Sequence, residues 1–324
     1  MRDRTIDSTW ARVAEAIASV EGPQARPWAQ RWMDAFSRWQ LLVDERLLRE
    51  AGTGTAACNG EPLHAQLNLA AFATAGTLSA PPLLKLDQLA DTAALAMRLL
   101  DDAWLAMPPC PPQQARVSIG VIGMADALGC LDIPYDSMHA CQVARDVAAA
   151  LANGALRGAV ELACERGTAP CDPIDHMEPI DRTTLWRDRH TPPELIDDAR
   201  RWGVRYARLT AIEPHPRLAV LANNASDALD PMPEAGGWSP GRPLPRDGVA
   251  IPPHTLAAQV RLRGAMQAWI DTPIDYPMLA MAEPAPDEVA ALGVLAGCYG
   301  LPPPRFRRPA FAATKLRDPG TARR

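Results

Sequence analysis

Aromatic residues, cysteine pairs and long apolar runs are all scarce in this chain of 324 residues. Aromatics make up 5% of it, and the seven cysteines form no CxxC pair. An odd cysteine count without such pairs disfavours both a disulfide framework and a zinc ribbon. No run reads as long and apolar enough to span a bilayer, and no signal-peptide core follows the charged start MRDRTIDSTW. The sequence therefore predicts a cytoplasmic protein with no membrane partner.

Positive charge is not in excess either. The net charge is −5, so duplex nucleic acid is not an expected partner. The hydrophobic fraction of 48% and the charged fraction of 22% are those of a globular protein. The 33 prolines cluster, which marks loops and not helix interiors. A chain of this length can bury a sizeable core in one large or two smaller domains.

The stretch from 115 to 147 carries the clearest local signals. Val117, Ile119 and Val121 alternate as the buried face of a strand does. A glycine turn and a short helix follow, and Ser137 is a good N-cap for a long helix that ends near Gly167. These signals predict a strand-to-helix unit of an α/β protein.

Apolar spacing and proline clusters predict the rest of the chain's secondary structure. The predicted segments are a helical region over 8–50 that continues through Leu42 or Val43, a mixed stretch at 63–73, helices at 83–107, 193–202, 254–271 and 284–300, a strand at 204–212, a surface excursion at 168–193, and a loop over most of 213–253.

The order of these segments resembles a known family. The run IGVIGMADAL, then PYDS, then a helix ending in ELACERG, is similar to the C-terminal half of the catalytic barrel in ribonucleotide reductase large subunits. The resemblance extends over roughly 57–311. It implies an α/β fold, namely the second half of a ribonucleotide-reductase-type barrel with a helical N-terminal extension and long Pro-rich loops. The expected domains are a helical segment at 1–50, a barrel domain at 51–311 and a basic tail at 312–324.

The finger loop of that family has an Asn-x-Cys-x-Glu pattern, and this chain reads AACNGEPL there. Aligning on Glu61 places Asn59 where the family has its radical-bearing cysteine, and Cys58 stands one residue out of register. The family's second redox cysteine falls on Leu67, directly before the matching Asn68. The resemblance thus implies Cys58, Asn59 and Glu61 as the catalytic equivalents. From the residues alone, Cys58 is either a reactive thiol or a small, inert core residue.

The family's substrate-phosphate loop is rich in Ser and Thr, and this chain has Pro214-His215-Pro216-Arg217 in its place. The hydroxyls are gone, and Pro216 removes a backbone amide. His215 and Arg217 are able to replace the hydroxyls with positive charge, or the segment is a plain surface turn. The implied substrate-binding residues are Asn68, His215 and Arg217, and no metal site is predicted.

The residues and the resemblance leave two main functions open. The first is a degenerate, ribonucleotide-reductase-like protein that binds a nucleotide or a protein partner and lacks reductase activity of its own. The alternative is the C-terminal half of a split, adenosylcobalamin-type reductase, whose missing half-barrel comes from a second chain. A homodimer and an unrelated α/β enzyme on the same scaffold also remain possible.

Overall fold

The structure is a computed structural model, and it describes residues 3, 5–54, 61–107, 116–169, 182–231, 256–280 and 282–308. The described helices are α1 (Ile6–Ala18), α2 (Ala25–Ser37), α3 (Glu45–Glu50), α4 (Leu86–Ala106), α5 (Met124–Cys130), α6 (Met138–Arg166), α7 (Arg182–Asp188), α8 (Pro193–Trp202), α9 (Pro216–Leu221), α10 (Leu256–Gln267) and α11 (Pro286–Cys298). The described strands are β1 (Leu41–Val43), β2 (Leu63–Asn68), β3 (Ala73–Thr74), β4 (Leu83–Leu84), β5 (Val117–Ile122), β6 (Met278–Leu279) and β7 (Phe306–Arg307).

A three-stranded sheet in the order β1-β2-β5 lies at the centre of the fold. β2 pairs in parallel with β5, so that Ala65 lies opposite Ile119. Ile119 also forms a parallel bridge to Thr210, so the segment around 210 lies beside β5 in the sheet. Two short pairs, β3-β4 and β6-β7, complete the strands, and the described residues form no closed barrel. The protein is thus a mixed α/β fold with small sheets.

The core lies between this sheet and the pair of helices α4 and α6. Ala65, Leu67, Ile119 and Val121 point to that side and are fully buried. α6 begins at the predicted cap, where the Ser137 hydroxyl accepts a hydrogen bond from a backbone amide of the first turn at 3.0 Å. The strand-to-helix prediction for 115–147 is therefore confirmed.

Helix α6 corrects one expectation about apolar runs. It is long and apolar enough to cross a membrane by length and composition, but 61% of its most apolar window is buried inside the protein. It packs against α4, α8 and α10. The structure therefore uses α6 as a core helix.

The predicted continuation of helix to Leu42 or Val43 is wrong, because α2 ends at Ser37 and β1 follows. Trp39 has a φ of +57°, which turns the chain out of the helix. Leu41 then pairs with Leu67 in an antiparallel register. All three β1 residues are buried, so pairing with a distant strand overrides the local helical spacing.

The strand predicted at 204–212 is also wrong for most of its length. The amides of Leu209 and Thr210 donate to Asp271 Oδ2 at 2.9 and 3.3 Å. A carboxylate that accepts these amides competes with a sheet ladder, and only the bridge at Thr210 forms. Two further helices lie where loops were predicted: α7 in the excursion at 168–193, and α9 in the loop at 213–253, where Pro216 occupies the first turn.

A buried ionic cluster fastens α4 to α6 and to the turn after α1. Arg166 Nη1 bonds Asp102 Oδ1 at 2.6 Å and also contacts Asp101. Arg166 Nη2 bonds Glu21 Oε1 at 2.6 Å. Burial raises the pKa of Asp102 to about 7, whereas hydrogen bonds from Arg98 and Asp102 lower the pKa of Glu21 in spite of its burial. Asp102 Oδ2 is buried and has no hydrogen-bond partner among the described residues, so burial favours the neutral form of this carboxyl.

Candidate functional site

On the face of the sheet that points away from α4 and α6, strand β2 presents polar side chains. Side chains alternate along a strand, so His64, Gln66 and Asn68 of β2 share this face. Ser118 and Gly120 of β5 lie beside His64 and Gln66 in the parallel register. The chain returns across this face after Thr210, and a Cβ on Gly120 would meet the Ala211 carbonyl oxygen at 2.5 Å and Gln66 Oε1 at 2.6 Å. The approach therefore requires glycine at 120.

Hydrogen bonds fix both the ring and the backbone of His64. Its Nδ1 shares a hydrogen bond of 3.0 Å with Ser118 Oγ. The His64 carbonyl accepts from the Asp44 amide at 2.9 Å, and the His64 amide donates to Asp44 Oδ2 at 3.4 Å. Burial lowers the pKa of His64 although the Asp44 charge acts in the opposite direction. At neutral pH the His64 imidazole is therefore uncharged.

His215 reaches the same place from the segment that crosses the sheet. Its backbone amide donates to Asp227 Oδ1 at 2.7 Å, and its ring centroid lies 5.1 Å from that of His64. Its Nε2 is buried and has no hydrogen-bond partner among the described residues. Burial and the neighbouring His64 both lower the pKa of His215. Glu213 lies near both rings. One possible ligand atom from each of the three residues lies within 4.8 Å of the other two.

The carboxyl ends of β2 and β5 form a second polar spot. Asn68 Oδ1 is buried without a partner, and a Cβ on Gly123 would approach it to 2.7 Å. Gly123 has a φ of +78° and is the N-cap of α5. Its amide donates to the Ser226 carbonyl at 2.7 Å, and the Ser226 amide donates to Asp126 Oδ2 at 2.6 Å. The start of α5 and the segment around 226 are thus interlocked beside Asn68.

Two buried tyrosines hold the Leu-Asp-Pro segment that follows. Tyr135 donates its hydroxyl hydrogen to the Leu229 carbonyl at 2.6 Å, and the Leu229 amide donates to the Tyr276 hydroxyl at 3.1 Å. Asp230 lies 3.5 Å from Arg263, and burial raises the pKa of Asp230 to about 6. The sequence segments around 135 and 229, which are far apart in the chain, therefore meet in the fold.

The predicted finger-loop residues Cys58 and Asn59 lie outside the described residues. Glu61 is described, and its side chain is 68% exposed, with Oε2 3.6 Å from Arg46 Nη1. Leu67, which takes the place of the second redox cysteine, is fully buried between β1 and β5.

The three predicted substrate-binding residues do not form one group. Arg217 is 79% exposed and pairs with Glu45 at 2.9 Å on the surface. His215 points into the polar face at His64, and Asn68 lies four residues further along β2, which is roughly 13 Å in an extended strand. The structure therefore separates a histidine cluster at the start of β2 from Asn68 at its end.

Sequence reasoning missed His64, Ser118 and Glu213. The triplet Glu213-Pro214-His215 carried a signal, because a carboxylate and an imidazole two residues apart can serve one ion. His64 lies 151 positions before His215, and only the fold shows that they face each other.

A separate cavity of about 270 Å³ lies on the helix side of the fold, between α6, α7 and the segment 204–210. Trp186 and Tyr206 line it together with Arg189, which pairs with Asp271 at 2.9 Å. Of the predicted site residues that the structure describes, none lines this cavity.

A comparison of the chain with protein-family models matches residues 45–235 to the family described as "Ribonucleotide reductase, barrel domain". The match covers more than half of the chain. It includes β2, β5, α5, α6 and both polar spots described above. The resemblance to ribonucleotide reductases is thereby confirmed over residues 45–235, and the chain belongs to the ribonucleotide reductase barrel-domain family.

Proposed function

We propose that this chain is a ribonucleotide-reductase-like protein that does not reduce ribonucleotides by itself and that binds a nucleotide. The lack of reductase activity is supported by the leucine at position 67. Reduction of a ribose by thiols requires a pair of cysteines that is oxidised to a disulfide. Alignment on the family places one of them at Leu67, whose side chain is fully buried and unable to exchange electrons.

The altered phosphate loop supports the same conclusion. Pro216 lies in the first turn of α9, where a backbone amide would otherwise be free to bind phosphate. His215 turns inward to His64, and Arg217 turns outward to Glu45. These residues hold no phosphate cradle of the Ser/Thr type.

Asn68 supports nucleotide binding. Ligands of α/β proteins bind beyond the carboxyl ends of parallel strands, and Asn68 lies at that end of β2, next to the end of β5. A buried polar atom without a partner usually has a bound group or a water to satisfy it. We propose that the Asn68 amide binds a polar group of the nucleotide there.

The parallel neighbours β2, β5 and Thr210 support a partial barrel that corresponds to the second half of the family's barrel. The outer edge of β2 is paired with β1 of the same chain. A second chain that completed the barrel would therefore meet β1 and not β2, which favours a homodimer or a binding partner over a split reductase. We place the protein in the cytoplasm on the basis of its family and of the buried α6.

Adenosylcobalamin belongs only to the split-reductase alternative, and the cavity beside α6 does not fit it. The cavity beside α6 has about 270 Å³, below the range of roughly 300–1,000 Å³ that drug-sized ligands occupy. A corrinoid is several times larger than such ligands, so we assign no step to it.

Thermal unfolding with and without nucleotides tests the proposal. A ligand that binds only the folded state raises the unfolding temperature, by an amount that grows with its concentration over Kd. We expect at least one ribonucleoside di- or triphosphate to do so, and Asn68→Ala to remove the effect. The exposed Arg217→Ala is the matched control if the site is at Asn68. Absence of any shift across all ribonucleotides would refute nucleotide binding.

A further inference from the structure

We propose that His64, Glu213 and His215 form a site for one divalent transition-metal ion, with Zn²⁺ as the best-fitting ion. The site is independent of nucleotide binding at Asn68. Its elements are two imidazoles and one carboxylate that converge from β2 and from the segment after Thr210.

The donor set points to this class of ion. Two histidines and one carboxylate are a recurrent ligand set for Zn²⁺ and for Fe²⁺, whereas Mg²⁺ and Ca²⁺ prefer oxygen ligands throughout. An anion is disfavoured here because the Glu213 carboxylate belongs to the same group.

The distances allow a shared ion after a small closure. The three ligand atoms lie within 4.8 Å of one another. Tetrahedral ligands at about 2.0 Å from zinc are roughly 3.3 Å apart. Glu213 is exposed, so its side chain is free to rotate inward, and the same exposure gives the ion a path from solvent.

The surroundings already orient both rings. Ser118 Oγ shares a hydrogen bond of 3.0 Å with His64 Nδ1, which leaves Nε2 of the His64 ring available to the ion. Metal-bound histidines usually have such a partner on the other nitrogen. His215 Nε2 is the buried nitrogen without a partner, and Asp227 fixes its backbone at 2.7 Å. A bound ion would satisfy this orphaned atom. Three protein ligands leave a fourth position open, as in zinc sites that are not purely structural.

Metal binding by the purified full-length chain tests the site. Equilibrium dialysis against Zn²⁺, followed by elemental analysis, gives the stoichiometry and Kd. We expect one high-affinity Zn²⁺ per chain, retained in a large excess of Mg²⁺. Co²⁺ in place of Zn²⁺ separates this site from the cysteines, because nitrogen and oxygen ligands give visible d–d bands without the strong near-ultraviolet bands of thiolate ligands.

Three variants and one control locate the ion. His215→Ala should abolish high-affinity binding, and Glu213→Gln and Ser118→Ala should each weaken it by at least about tenfold. His139→Ala removes an exposed histidine on α6 and should leave Kd unchanged. If His215→Ala fails to fold, Glu213→Gln decides, because its side chain is exposed. Absence of stoichiometric Zn²⁺ binding overturns the proposal, and so does binding that Glu213→Gln leaves unchanged.

Discussion

The contact between α6 and α4 allows a sharp test of the scaffold under the polar face. Gly158 lies where the two helices touch. A Cβ built there would stand 2.7 Å from the Ala94 carbonyl oxygen, 2.9 Å from Ala94 Cα and 3.0 Å from Met97 Cβ. The first two are backbone atoms and cannot swing away, so Gly158→Ala must push the helices apart.

Two opposing effects set the magnitude. Forcing a methyl group into a packed interior costs about 1–3 kcal/mol. Alanine is better than glycine in a helix by about 1 kcal/mol. We therefore expect Gly158→Ala to lower the free energy of unfolding by up to about 2 kcal/mol.

Gly293→Ala is the matched control. Gly293 lies inside α11, and a Cβ there has no atom within 4 Å. The same substitution should raise the free energy of unfolding by about 0.5–1 kcal/mol, because only the helix preference remains. Urea unfolding followed by circular dichroism measures both variants. Equal effects of the two substitutions, or a more stable Gly158→Ala, would refute the close packing of α4 against α6.

Three further predictions concern buried and exposed polar groups. Burial raises the pKa of the Asp102 carboxyl from 3.8 to about 7, so the folded state binds this proton more tightly than the unfolded state does. The protonated carboxyl therefore contributes fully to the free energy of unfolding below about pH 4, and this contribution is lost as the pH rises to about 7. In urea titrations between pH 4 and 8, Asp102→Asn should therefore gain stability over the wild type as the pH rises, on the order of a few kcal/mol; a constant difference would contradict this. Tyr135→Phe leaves the buried Leu229 carbonyl without its donor and should cost about 1–2 kcal/mol in urea unfolding, and a neutral result would contradict the 2.6 Å bond. Arg217→Ala breaks only an exposed pair with Glu45, so its unfolding free energy should change by less than about 1 kcal/mol, and a larger loss would contradict the surface position.

Local signals in the sequence predicted the elements that local chemistry determines. Ser137 caps α6 and Gly167, with a φ of +75°, ends it, as their types indicate. The alternation from Val117 to Val121 gives β5 directly. Such elements need only neighbouring residues to form.

Contacts between residues far apart in the chain determine the features that the sequence did not reveal. β1 forms because Leu41 pairs with Leu67. The segment at 204–212 forms one bridge to β5, and Asp271 accepts the amides of Leu209 and Thr210. The facing of His64 and His215 depends on the same long-range folding. Residue spacing alone carries no information about contacts of this kind.

The chain belongs to the ribonucleotide reductase barrel-domain family, and we propose that it does not reduce ribonucleotides by itself. The most direct measurement is formation of deoxyribonucleotides from the four ribonucleoside di- and triphosphates by the purified full-length chain, with dithiothreitol as reductant and with adenosylcobalamin both present and absent. We expect no product above the protein-free control under either condition. Product formation that Cys58→Ala abolishes would contradict it.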